Sequence, residues 1–185
     1  MTAQSDAQLM ARVRAGDQRA FDALYERHRT AVFSFLVRLA GDHHQAEDLL
    51  QETFVRVYRA RDRYEPSAQF RSWLFTIARR LVVDHARRQH IAWDSRPEAL
   101  EAASGPERAD HAAEATELRV QLERAIEGLP AGQREIVLLS RVAGMRTDEI
   151  ADVVGSTPGA VRVALHRALR RLATALGVRA HDGTA

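Results

Sequence analysis

The sequence has no cysteine and no lysine among its 185 residues. Without cysteine there is neither a disulfide framework nor a thiolate metal site, which fits a reducing compartment. Without lysine the basic side of the charge balance is arginine alone, and the sequence pI is about 9.6 although the formal net charge is only +2. Long apolar runs are also missing. Nothing approaches the roughly 18 residues that a membrane helix needs. The N-terminal stretch MTAQSDAQLMARVRAGD holds no secretory signal. We therefore expect a cytoplasmic protein with no membrane insertion. The 5 prolines and 10 glycines are few enough to act as punctuation between helices.

The charge is unevenly placed. Leu39 to Val55 carries Asp42, Glu47, Asp48 and Glu52 and no arginine. Ser67 to His90 has five arginines against one aspartate. Ile91 to Leu118 has seven acids against two arginines, and Ser156 to Arg179 has five arginines and no acid. Two basic segments separated by acidic ones fit a polyanion contacted at two places. They equally fit solvated helix faces, and charge alone does not choose.

Periodicity is helical nearly throughout, with no alternating strand pattern and no repeat. Helices are expected over about 6–15, from the Asp17 cap to Gly41, from the Asp42–Gln45 capping pair to about Arg61, and over about 70–89. A loop, RYEPSAQ, separates the last two. The Pro-, Ala- and acid-rich stretch after it reads as a flexible linker. Helical spacing resumes at Leu118, breaks at Gly128 and Pro130, and continues to about Gly144. The expected fold is all-α, with two small helical domains joined by a flexible acidic linker. The domains are placed at 1–90 and 118–179, the linker at 91–117 and a short tail at 180–185.

TDEIADVVGSTPGAVRVALHRALRRL reads as two helices around a tight turn. Thr147 is placed as the cap of the first, with Asp148 and Glu149 at its positive end. Ile150, Ala151 and Val154 are placed on its inner face. Gly155 ends it, Thr157 caps the second helix and Pro158 takes its first position. At about 100° per residue, Val161, Leu165, Ala168, Leu169 and Leu172 share the inner side of the second helix. Gly159, Arg162, Val163, His166, Arg167 and Arg170 occupy the other side. An outer face of arginines and a histidine with no carboxylate suits the DNA major groove, where arginine reads guanine. The bland alternative is a structural helix hairpin.

On the same wheel FRSWLFTIARRLVVDHARR buries Phe70, Leu74, Ile77, Ala78 and Leu81 and puts Trp73 at the edge of that stripe. Thr76, Arg80 and Arg87 continue outward, with Arg79 further round. Such a tryptophan either seals the domain edge or stacks on an unpaired base while arginines hold phosphates. Phe75 fits neither side. On the preceding helix Asp48, Gln51, Glu52 and Val55 form an acidic strip without local arginine partners, better suited to a protein than to DNA. GDHHQAED could evoke a metal site, but adjacent helical histidines diverge by about 100° and no ligand set converges. No nucleophile–base arrangement or phosphate loop stands out, so neither a cofactor nor intrinsic catalysis is expected.

EDLLQETFVRVYR, FRSWLFTIARRLVVDHARR and LPAGQREIVLLSRVAGMRTDEIADVVGSTPGAVRVALHRALRRL, in that order, resemble regions 2 and 4 of bacterial RNA polymerase sigma factors of the extracytoplasmic-function (ECF) group. The resemblance implies promoter-specific initiation with core RNA polymerase as partner, through its β′ clamp helices and β subunit. Asp48, Leu49, Gln51 and Glu52 would dock on the clamp helices. Tyr64, Gln69, Trp73, Thr76, Arg79 and Arg80 would meet the melted minus-10 element, with the 64–69 loop as pocket for a flipped base. Thr157, Arg162, Val163, His166, Arg167 and Arg170 would read the minus-35 element. The linker would thread the polymerase's nucleic-acid channels, and an anti-sigma factor would regulate the whole. Two residues depart from the pattern: Arg80 replaces an asparagine common in relatives, and Val163 is apolar where some relatives place a polar reader. With nine residues after Leu176, no appended C-terminal domain is expected. A plain helix-turn-helix regulator would leave the acidic strip unused, and a mimic that only titrates an anti-sigma factor would not need the two arginine faces.

Overall fold

The computed structural model describes residues 4–65, 69–94 and 113–177, with side chains described over 4–65, 69–88 and 117–177. They fall into two compact units divided between Pro106 and Glu107. Among the described residues there is no strand, as the missing alternation predicted.

The first unit contains α1 (Asp6–Arg14), α2 (Gln18–Ala40), α3 (His43–Arg59), a 3-10 turn (Arg61–Arg63) and α4 (Phe70–Asp94). Its helix starts are chemically marked. Ser5 and Gln8 form a reciprocal capping box, the Asp17 carboxylate accepts the Ala20 N–H, and Asp42 accepts the Gln45 N–H at 2.8 Å. Gly41 ends α2 at φ 74°, a left-handed conformation that favours glycine. α2, α3 and α4 pack pairwise, while α1 lies on α2 and on the 3-10 turn. The shared core joins Leu24, Phe35 and Leu36 of α2 to Phe54 and Val57 of α3 and to Leu74, Ala78 and Leu81 of α4.

Phe75 is also core. It is fully buried and meets Phe35 edge-on, with ring centroids 5.3 Å apart. The buried arc of α4 is wider than one stripe because the helix packs against both α2 and α3; it therefore includes Val82 as well, while Ile77 is only half-buried at its rim.

The second unit contains α5 (Ala113–Glu127), α6 (Ala131–Arg141), α7 (Thr147–Val154) and α8 (Pro158–Ala175). Leu129, Val137, Ala168 and Leu172 make one packed group, joined by the half-buried Ala125, Ile126, Leu165 and Leu169. Ile150, Ala151 and Val153 of α7 are buried, whereas Val154 is half-buried. Three expectations need correction. Thr147 is the first helical residue rather than the cap; the cap position is Arg146, whose N–H donates to the buried Glu149 carboxylate at 2.7 Å. α6 ends at Arg141, short of Gly144. The expected 91–117 linker is helical at both ends, since α4 runs to Asp94 and α5 begins at Ala113. Residues 95–112 lie outside the described residues.

Candidate protein and nucleic-acid interfaces

On α3, Asp48, Gln51 and Val55 are exposed and Glu52 is half-buried. Leu49 points inward and is only 5% exposed. It lies at the base of a shallow cleft between α3 and α4 that Asp42, Asp48 and Glu52 share with Arg56, His85 and Arg88. The acidic strip therefore does have arginine neighbours. Arg56 Nε donates to Glu52 at 2.8 Å, a helical i,i+4 pair that α3's own spacing allows. His85 and Arg88 come from α4, a neighbour that reading one helix at a time does not reveal.

The aromatic and cationic face of α4 starts from a packed cluster. Tyr64, Phe70 and Trp73 meet pairwise, with Tyr64–Trp73 centroids 5.1 Å apart and Phe70–Trp73 centroids 6.0 Å apart. Tyr64, expected to meet the melted minus-10 element from the 64–69 loop, is only 3% exposed. Burial, and then the nearby Asp6 charge, push its phenol above the usual range. The loop places the phenol ring under Trp73, where its apolar area is removed from water. Trp73, Thr76 and Arg79 are half-buried, and Gln69 and Arg80 are exposed. The Thr76 hydroxyl donates back to the Ser72 carbonyl at 2.7 Å. Residues 66–68 of the expected base pocket lie outside the described residues.

Beneath this cluster is a part-buried polar pair that sequence reading missed. His28 of α2 is 5% exposed, with Nε2 2.9 Å from Asp6 of α1 and its ring 5.3 Å from that of Phe70. Asp6 also accepts from Arg27. Burial raises the Asp6 pKa, but the His28 hydrogen bond, the His28 charge and the Arg27 contact outweigh it, so the carboxyl titrates below its usual 3.8. The available signal was a histidine in the centre of α2's apolar spacing and an acid in the first turn of α1.

In the second unit, α7 and α8 form a helix-turn-helix. Gly155 ends α7 at φ 68°, and its N–H and that of Ser156 donate to the Ala151 carbonyl. The Thr157 hydroxyl caps α8 by accepting from Ala160, with Pro158 at the first turn. Val161, Ala168 and Leu172 face inward. Arg162, Val163, His166, Arg167 and Arg170 are all exposed, Val163 at 51%. Among the described residues none of the side chains of Arg162, His166, Arg167 and Arg170 enters an ion pair. The positive charge of the three arginines is not neutralised by any ion pair among the described residues.

Comparison with known proteins fits these two units. Residues 24–91 match the Sigma-70 region 2 family and residues 119–172 match Sigma-70 region 4. The chain is 41% identical over 171 residues to the RNA polymerase sigma factor CarQ of Myxococcus xanthus, covering 91% of this chain and 95% of the relative. It is 37% identical to the ECF RNA polymerase sigma factor SigD of Mycobacterium bovis, covering 85% of this chain and 77% of the relative. The chain belongs to the ECF RNA polymerase sigma factors. Sigma factors direct promoter-specific transcription initiation, and the helix-turn-helix of this one corresponds to region 4. A solved structure of the sigma factor RpoE with the anti-sigma factor NepR, from Bartonella quintana, resembles it with a TM-score of 0.70 at 26% identity, covering 86% of this chain and 98% of that one. Among the described residues of this sigma factor, no helix is long and apolar enough to cross a membrane, and no cluster of metal-ligating side chains occurs.

Proposed function

We propose that this ECF sigma factor binds core RNA polymerase through its first unit and recognises two promoter elements, one with each unit. The observation that carries the DNA part is the exposed outer face of α8, where Arg162, Arg167 and Arg170 have no acidic partner among the described residues. Arg162, His166, Arg167 and Arg170 read minus-35 base edges or hold its phosphates, Val163 packs on a base, and Thr157 brings the start of α8 to the backbone. On α4, Trp73 stacks on a base of the melted minus-10 element. Gln69, Thr76, Arg79 and Arg80 contact the same strand, while Tyr64 supports Trp73 from below. Extruding a base costs a few kcal/mol, which stacking worth about 1–3 kcal/mol per base and phosphate contacts together offset.

Asp48, Gln51 and Glu52 form the polymerase-facing strip, directed at the β′ clamp helices, with further contact to the β subunit. Leu49 acts there as an apolar floor. The likeness to a sigma factor solved with its anti-sigma factor supports regulation by such a partner.

Transcription with purified core polymerase and a library of genomic promoter fragments tests the proposal. A promoter-dependent transcript that needs this protein is the expected result. Its absence, with core shown to be active with another sigma factor, overturns the proposal.

A further inference from the structure

α1 is folded onto the first unit, yet the region 2 match begins only at residue 24. It seats on the unit through the buried Leu9, Met10 and Val13 and is tied at its start by Asp6, which reaches across to Arg27 and to the buried His28. From there contact is continuous. The His28 ring lies on Phe70, Phe70 lies against Trp73, and Tyr64 touches both Phe70 and Trp73. α1 also packs on the 3-10 turn that leads into Tyr64. An imidazole alone on an apolar floor has several rotamers. One whose nitrogen is held by a carboxylate at 2.9 Å has a fixed ring plane. The run of contacts that ends at Trp73 thus begins in α1.

We propose that α1 is a clip for the promoter-opening surface, with Asp6 and His28 as positioning residues that hold Phe70, and through it Trp73, in the orientation that stacks on an unpaired base. The proposal rests on the reading that Trp73 contacts opened DNA. Neither Asp6 nor His28 touches nucleic acid. Their effect is to remove the disorder that Trp73 would otherwise lose on binding.

The test uses the full-length protein in holoenzyme with core polymerase and a fluorescent fork-junction probe whose minus-10 strand is unpaired. Asp6→Ala should weaken probe binding about tenfold and leave competition for core within twofold of wild type. His28→Gln, which keeps a donor for Asp6 but removes the ring, should also weaken probe binding, and serves alone if Asp6→Ala does not stay folded at the assay temperature. In a Trp73→Ala background both effects should vanish, which a general loss of stability would not produce. If Trp73→Ala alone leaves probe binding unchanged, the stacking reading fails. If Trp73→Ala weakens the probe but Asp6→Ala and His28→Gln do not, or if their effects persist without Trp73, the clip is overturned while the stacking reading stands.

Discussion

Phe75 and Trp73 lie two positions apart on α4 and do different work. Phe75 is sealed between α4 and α2 against Phe35, so Phe75→Ala should cost about 3–5 kcal/mol through the cavity it leaves. Chemical denaturation should register that loss. Trp73 is half-buried, and its truncation should cost less stability but reduce promoter opening. Asp6 adds a pH effect. Its folded-state pKa is below the unfolded 3.8, so its contacts stabilise the fold above about pH 4 and are lost as pH falls through the folded value. The stability gap between wild type and Asp6→Asn should therefore be widest near neutrality and narrow below pH 4 in denaturation curves collected across pH. None of these side chains announces its role by type. Phe75 lies off the stripe that one helix alone predicts, and His28 is one polar residue among several on α2.

At the level of whole elements, α8 is the most legible. Its cap, its first-turn proline and the separation of arginines from leucines are all local, and the helix forms as its spacing predicts. The turn before it depends on one backbone conformation. Gly155 sits at φ 68° with open space around a would-be Cβ, so Gly155→Ala would strain the backbone by roughly 1–2 kcal/mol without any clash. Calorimetry should show a lowered midpoint for the second unit. Arg167→Ala should weaken minus-35 binding and, if the contact is to phosphate, reduce the salt slope of log K against log salt by about one; a change in base preference instead identifies a base contact. α3 was less legible. Its acidic strip lies largely on the exposed side of the helix, but the Glu52–Arg56 pair and the α4 side of the cleft qualify its charge. Asp48→Ala and Gln51→Ala are therefore cleaner probes of polymerase docking than Glu52→Ala, which also frees Arg56.

Across the whole molecule, the two basic surfaces belong to separate units. Trp73→Ala and Arg167→Ala should then be additive, within about 0.5 kcal/mol, in the free energy of promoter binding by holoenzyme. A clear departure in a filter-binding or fluorescence titration would mean that occupancy of one element alters the other. The near-neutral total charge does not predict this behaviour, because it averages acidic and basic segments that lie apart along the chain.

The order of helices, most of their caps, the break near residue 130, the helix-turn-helix and the cationic outer face of α8 were determined by the sequence itself. All are fixed by residues within a turn or two of one another: hydroxyls and carboxylates at N-termini, glycine at left-handed ends, and apolar spacing of 3.6. Tertiary structure decided what depends on a second element. It buried Phe75 because α4 has two neighbours, drew Tyr64 under Trp73, set arginines from two helices around the acidic cleft, and joined Asp6 to His28 across 22 positions of chain. Local spacing carries no information about which face a distant helix will cover, so only packing could assign those side chains.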